Sequence, residues 1–573
     1  TTRSMTTAEG PEIARRWAWP ALGAVLLGAL GLRLWGLRQG LPYAYNTDEA
    51  DHFVPRAVAM FAQHNLNPHY FANPPAFTYL LHYLFALAYG GGAGVRHAIE
   101  HHPGDVYALA RVAAAVLGAA AIWLLYATGA RLFNRAVGLL AAAIEAVAFL
   151  PVFYAHLALN DVPTLAPLSL SLLGTAGVLR KGRARDYLLA GAGLGLACAS
   201  KYTAGIVIVP LIAAIAIRFL QGEPGAGKGA LVGIALTGTA ALLGFLIANP
   251  YAVLHYREFH AELVHQSTLS AESQGKLGAP KQGGILYYLW SLTWGLGWVP
   301  ALAALGGAIT VWRSQSRLGW LLVPAPVLFL AFMGLQGRYF GRWLLPIFPI
   351  LCLLAAFFAL QLAAAIAQRV SGAGHAAGVR ALLSGVAVIA LCAQGIVYSV
   401  HSDRVLARAD TRALTRAWMV AHIPARAPIV VEPIAPNGWG ARWNKYPSTV
   451  SRITPAGALA PRATHIVGIE DYVRTLSPAL IGYYEMHGYC WVVSGSTQSG
   501  RAFADPKAVP LAVAYYRELA RQGAVVYRAS PYGAGQRPVA FGFDWSFDYY
   551  PLAYHRPGPQ MTVYELHGGR CGS

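Results

Sequence analysis

The chain has 573 residues, 56% of them hydrophobic and only 12% charged, with a mean hydropathy of +0.43. A soluble protein carries about a quarter charged residues, so this composition excludes an ordinary soluble enzyme and points to a polytopic membrane protein. The formal net charge of +19 lies largely in short loops between apolar runs. Membrane orientation explains that charge better than nucleic acid does.

Apolar runs fall near residues 17–36, 106–130, 136–156, 162–179, 186–200, 202–219, 229–248, 285–312, 318–336, 343–367 and 379–400. They predict about eleven transmembrane helices. With the N-terminus cytoplasmic, the inner loops collect most of the short-loop Arg and Lys, including the run RKGRARD. The short outer loops carry only Lys201, Arg338 and Arg342. Residues 74–90 are a further apolar stretch, and parity decides its placement. A crossing there would turn RKGRARD outward, so it is read as an interfacial helix whose first turn tolerates Pro74–Pro75. Arg33 and Arg38 sit near the outer end of the first span and read as snorkelling side chains or head-group contacts.

Two long outer loops follow from this layout, residues 37–105 and 249–284. The second contains ESQGKLGAPKQGG, which reads as mobile. Residues 1–401 therefore form a transmembrane module. Residues 402–573 alternate strand-like runs (IVVE, HIVGI, AVVY, MTVYEL) with helical ones (TRALTRAWMVAHI, LAVAYYRELARQ). They predict a soluble extracytoplasmic α/β domain. Cys198, Cys352 and Cys392 lie in apolar runs and read as inert packing residues. Cys490 and Cys571 could pair if their domain lies outside the cytoplasm.

Polar residues cluster where spans end on the outer side. YNTDEADHF places Asp48, Glu49, Asp51 and His52 just beyond the first span. Asp48 can be a general base, part of a cation site, or a helix cap. Asp161, in HLALNDVPT, opens a later span and can be a cap or a functional acid. Lys201–Tyr202 breaks an apolar run at an outer turn. Arg338, Tyr339 and Arg342 occupy a similar place in LQGRYFGRWLLP. Cations beside acids at one membrane depth suit a phosphate group. Arg56 and His69 from the first outer loop can add to them. FANPPAFTYLLHYL is a surface anchor or the wall of a lipid-tail groove. The histidines of this loop lack a tight metal spacing. GEPGAGKGA does not match a phosphate-binding loop.

The Asp-Glu pair after the first span, NPHYFANPPAFTYLL, the Asn-Asp-x-Pro turn and RYFGRWLLPIFPIL together resemble glycosyltransferase family 39. That group includes protein O-mannosyltransferases and the lipid A aminoarabinose transferase, with the GT-C fold. The resemblance runs over roughly residues 15–400 and into the tail. It implies transfer of a sugar from a polyprenyl-phosphate donor to a hydroxyl on a lipid, glycan or protein acceptor, at the outer face of the cell membrane, with inversion. Carried over, it makes Asp48 the general base, with Glu49 and Asp161 positioning the sugar or acceptor. Lys201, Arg338, Tyr339, Arg342 and Arg56 would hold the donor phosphate, and His52, His69, Tyr70, Asn73 and Tyr202 would line the groove. Aminoarabinose transferases carry Lys before the Pro pair and mannosyltransferases often His. This chain has Asn73, which leaves the phosphate to another cation. No metal or cofactor is expected, although the DEADH cluster leaves a divalent cation open. A secondary transporter or flippase of an anionic solute or lipid is the alternative. It would place its charges near the bilayer midplane in two related halves.

Overall fold

A computed structural model describes residues 13–63, 65–221, 226–271, 277–279, 283–370, 375–446, 472–542 and 552–572. The chain divides into two compact units. The first comprises residues 1–37, 51–272 and 282–403, and the second residues 38–50, 273–281 and 404–573. The second unit thus recruits two short stretches from within residues 37–105 and 249–284, which the break in composition near residue 401 does not signal.

The first unit is helical. Among the described residues, eight helices are long and apolar enough to cross a membrane, beginning with Arg15–Leu34 and Pro103–Leu132. The other three segments expected to cross form shorter helices. Leu165–Arg180 and Ala184–Ser200 are continuous, whereas Arg135–Val147 and Phe149–Tyr154 are separated by the extended residue Ala148. Small residues let these helices approach closely. A Cβ on Gly174 would lie 2.3 Å from the Ala190 amide nitrogen, and one on Gly195 would lie 2.0 Å from the Ala241 carbonyl. Such close backbone approach is how helices pack where no hydrophobic drive separates protein from lipid. The 74–90 stretch becomes helix Ala76–Tyr89, ended by Gly90 in the left-handed region.

Arg33 does not snorkel. It is buried, and its guanidinium donates to the carbonyls of Ala29 at 3.1 Å and Ala146 at 2.9 Å. Glu145 and Asp403 are buried as well, and both attract its charge. His156 completes the cluster, 3.0 Å from the Trp35 carbonyl and 3.5 Å from Asp403. These partners come from chain segments far apart, so a local reading of the first span cannot find them.

Among the described residues, the second unit contains a five-stranded sheet. Its strands are β1 (Pro428–Val431), β2 (Asn444–Lys445), β3 (Trp491–Gly495), β4 (Ala524–Ala529) and β5 (Met561–Glu565). Their order is β2-β1-β3-β5-β4. β1 pairs in parallel with β2 and β3, while β5 runs antiparallel to both β3 and β4. Helices Thr411–His422 and Pro510–Gln522 lie where the sequence predicts them. IVVE, AVVY and MTVYEL are strands, HIVGI lies outside the described residues, and β3 is a strand that the pattern did not announce. ESQGKLGAPKQGG also falls largely outside them. Cys490 and Cys571 are joined by a disulfide.

Glu432 follows β1 and is buried inside this unit. It accepts hydrogen bonds from Tyr516 Oη at 2.7 Å, the Gly495 amide at 2.8 Å and Ser494 Oγ at 3.0 Å. Burial outweighs these donors and raises its pKa to about 7. An acid raised in the folded state binds a proton that the unfolded chain releases near pH 4.5. Its contribution is therefore full below pH 4.5 and is lost as pH rises through about 7. That amounts to roughly 3 kcal/mol over the interval. Glu432→Gln should flatten this slope, read as the pH dependence of amide exchange in β1 and β3.

Candidate active site

The turns that the sequence singles out meet inside the first unit. Ala184–Ser200 ends at Lys201, whose extended backbone starts the 3₁₀ turn Tyr202–Val207. The Lys201 side chain is buried and donates to the buried carboxylate of Asp161. Beside it, Asn160 Nδ2 donates to the Ser200 carbonyl at 2.6 Å, and Thr164 Oγ1 to the Asn160 carbonyl at 2.6 Å. Asp161 is thus the partner of Lys201 across two chain turns.

Tyr202 carries this junction to the loop between the first two long apolar helices. Its hydroxyl donates to the Phe71 carbonyl at 2.9 Å. Phe71 and Tyr202 both set their rings against Phe259, with centroids 5.8 and 6.4 Å away. Phe259 belongs to helix Tyr256–Ala271, which also clamps the loop by two carboxylates. Glu262 accepts from the Phe71 and Ala72 amides. Glu258 accepts from Asn67 at 3.0 Å and is 2.9 Å from His69 Nδ1. Partial burial pushes the Glu258 pKa up, but its hydrogen bonds from Asn67 and His69 and the nearby His255 outweigh that and leave it lowered. His69 adopts φ of 47°, a left-handed conformation uncommon outside glycine and held here by the clamp.

Tyr70 is the hub of the same loop. Asn73 donates to its hydroxyl at 2.7 Å. His52 stacks on its ring with centroids 4.3 Å apart, and the Arg56 guanidinium lies 5.8 Å from the ring centroid. His52, Tyr70 and Asn73 thus meet directly, while His69 and Tyr202 join them through their contacts with the 67–72 segment of the same loop. The contacts of Glu258, Glu262 and Phe259 escape a reading based on span ends, because they lie within a polar loop helix.

The third turn is Gly341–Ile347, which packs against Phe149–Tyr154 and Tyr202–Val207. Arg342 lies over the rings of Phe340 and Tyr154, at 5.1 and 5.7 Å. Tyr339 stacks on Tyr287 with centroids 5.5 Å apart. The amides of Gly337 and Arg338 donate to the Ser270 carbonyl at 2.9 and 3.2 Å, which fixes this turn to the end of the clamping helix.

Asp48 and Glu49 belong to the second unit. Asn46 caps the helical run there, accepting the Glu49 amide at 3.2 Å. Asp48 is therefore not the cap but part of the first turn. Glu49 is buried and opens the π-helical turn Glu49–Phe53, which continues into Val54–Gln63. Among the described residues, no group of three or more His, Cys, Asp or Glu side chains is arranged to hold a metal ion.

Residues 103–253 match the family described as dolichyl-phosphate-mannose-protein mannosyltransferase. The structure is similar to ArnT from Cupriavidus metallidurans, solved bound to undecaprenyl phosphate. The two share 14% identity over 96% of this chain and 98% of that one, with a TM-score of 0.50. It is also similar to the archaeal oligosaccharyltransferase AglB from Archaeoglobus fulgidus, solved with an inhibitory peptide and a dolichol phosphate. There the identity is 12% over 96% of this chain and 88% of that one, with a TM-score of 0.54. The chain has the GT-C glycosyltransferase fold. A search of curated proteins finds no match to the sequence. Within this GT-C fold, the Asp161–Lys201 junction and the Arg342 turn both come from the helical unit.

The clamp carries a prediction of its own. Glu262→Ala leaves the Phe71 and Ala72 amides without their carboxylate. Hydrogen bonds to charged groups contribute about 1.5–3 kcal/mol. Amide exchange across 67–73 should therefore accelerate by about tenfold or more, measured by mass spectrometry on the detergent-solubilised protein.

Proposed function

We propose that this protein transfers a sugar from a polyprenyl-phosphate donor to a hydroxyl acceptor at the outer membrane–water boundary, with inversion. The observation that carries the reading is the buried Asp161–Lys201 junction, which packs through the Tyr202 turn against the turn bearing Arg342. Asp48 is the general base. It stands four residues before His52 and eight before Arg56, in the helical run whose later residues meet Tyr70. Glu49 orients the acceptor or sugar. Arg338 and Arg342 neutralise the donor phosphate with help from Arg56, and Tyr339 packs beside them. Asp161 sets the direction of the Lys201 ammonium.

The chemistry needs little acid assistance. The acceptor oxygen forms a bond to the anomeric carbon as the bond from that carbon to the phosphate oxygen breaks. The acceptor proton passes to Asp48, and the polyprenyl phosphate leaves as an anion stabilised by the guanidinium groups. Attack opposite the leaving group inverts the centre. No step requires a metal. The lipid tail stays in the bilayer, and positioning supplies much of the rate.

The Cys490–Cys571 bond supports placing the second unit in an oxidising compartment outside the cytoplasm. The basic inner loops support the same orientation in the cell membrane. The test is incubation of purified protein with radiolabelled polyprenyl-phosphate sugars and membrane extracts as acceptor. Release of free polyprenyl phosphate with label in a new product supports the reading. Uptake of the donor head group into sealed vesicles without any transfer overturns it in favour of a transporter.

A further inference from the structure

The second unit contains a cavity whose lining is unlike that of a packed core. β3 ends at Gly495 and passes directly into helix Ser496–Ala504. β5 begins at the same edge, where Met561 pairs with Gly495. The crevice beyond the carboxyl ends of parallel strands is the usual place for ligands on such sheets. A cavity of about 570 Å³ lies there, between that helix, residues 538–542 and residues 554–560. Its size falls within the roughly 300–1,000 Å³ of small-molecule sites.

Aromatic rings form the walls: Phe503, Tyr532, Phe541 and Tyr554. They are held in place by specific contacts. Tyr532 and Tyr554 meet edge to face with centroids 5.1 Å apart. The Tyr532 hydroxyl accepts the Val539 amide at 3.2 Å, anchoring the 538–542 strap. Phe541 fits against two glycines. A Cβ on Gly278 or Gly500 would come within 2.4 or 2.7 Å of its ring. Gly278 has φ of +75° and its amide donates to Asp505 at 2.6 Å, so the space for Phe541 is built into the backbone.

Polar side chains also line the cavity: Ser496, Thr497, Ser499 and Gln560. A purely apolar occupant would strip water from these groups without replacing their hydrogen bonds. A sugar satisfies both demands, because its C–H face packs on aromatic rings while its hydroxyls pair with side-chain hydroxyl and amide groups. A smaller cavity of about 260 Å³ adjoins the first, sharing Ser496, Ser499, Phe503 and Gln560. It adds Arg517 and Arg528, and no carboxylate lines either cavity among the described residues. Guanidinium groups at one end favour a carboxylate or phosphate on the occupant.

We infer that this paired cavity binds a short oligosaccharide bearing an acidic group, its sugar rings on the aromatic walls and its charge toward Arg517 and Arg528. Binding does not depend on the transferase reading; under that reading the occupant is the acceptor glycan.

The test titrates the full-length protein in detergent with tetramers of galacturonic and mannuronic acid and with neutral maltotetraose and mannotetraose. At least one uronate tetramer should bind about tenfold or more tightly than the neutral tetramers, a difference of about 1.4 kcal/mol. Ser499→Trp, which fills the cavity, and Phe541→Ala, which removes a wall, should each weaken binding by about tenfold or more. Arg517→Gln with Arg528→Gln should level the acidic preference. Absence of uronate binding overturns the inference, as does binding that both Ser499→Trp and Phe541→Ala leave unchanged. Asp48→Asn should bind the tetramers as the wild type does. Binding without sugar transfer would sink only the transferase reading, and transfer without binding only this one.

Discussion

Asp48→Asn should lower kcat for sugar transfer by about 10²–10⁴-fold, the range attributed to a positioned general base. The amide keeps the shape and polarity of the carboxylate but cannot accept the acceptor's proton. Helix entry should survive, because Asn46 supplies the cap at the Glu49 amide. The variant should therefore elute and unfold like the wild type, and donor affinity should change little. A group that merely positioned the acceptor would instead raise KM at nearly constant kcat. Asp161 is a poor substitute, since its carboxylate already accepts from Lys201. Arg342→Ala makes the companion measurement. It should depress kcat through loss of leaving-group stabilisation, by about 10²–10³-fold if this guanidinium acts as one preorganised donor. Wild-type kcat in Asp48→Asn would remove Asp48 from the mechanism.

Asp161→Asn should be the most destabilising single change among the proposed site residues. Asp161 and Lys201 are 4% and 9% exposed. Removing one partner leaves the other charge buried, which costs about 3–5 kcal/mol. Replacing both with apolar residues, Asp161→Leu with Lys201→Met, should recover most of that stability. Thermal unfolding of the purified protein in one detergent, over a full double-mutant cycle, reads the coupling. The double variant also separates structure from chemistry. If Lys201 contributes to holding the donor phosphate, the stability-restored protein should still transfer poorly. A double variant with full activity would confine the pair to a structural role.

Much of the helical unit was legible because long apolar runs have few alternatives in a membrane. Lys201 was conspicuous for a related reason: a charge interrupting an apolar run needs a local compensation. Its partner Asp161 was also visible, but as a separate acid, since no pattern links residues 40 positions apart. The clamp by Glu258 and Glu262 was not legible. Those side chains sit in a polar loop helix where charge is unremarkable, and only their distant partners reveal their use: Asn67 and His69 for Glu258, and the backbone amides of Phe71 and Ala72 for Glu262. β3 was missed because WVVSG follows a Tyr- and Gly-rich stretch and is short, while its pairing with β1 and β5 is entirely non-local. The same distance effect hid the burial of Arg33.

That burial bears on how the chain is made. Arg33 precedes Glu145 by 112 residues. At roughly 5–20 residues per second, the first helix waits on the order of ten seconds for that carboxylate and much longer for Asp403. Arg33 is the second-to-last residue of Arg15–Leu34, so inserting it costs less than the roughly 2.5–3.5 kcal/mol of an arginine at a helix centre, but it still carries a charge that its buried partners must meet. Until its partners are synthesised, the nascent first segment must keep this guanidinium hydrated at the bilayer edge or sheltered by the insertion machinery. The final packing of this segment is thereby deferred to a later stage of translation.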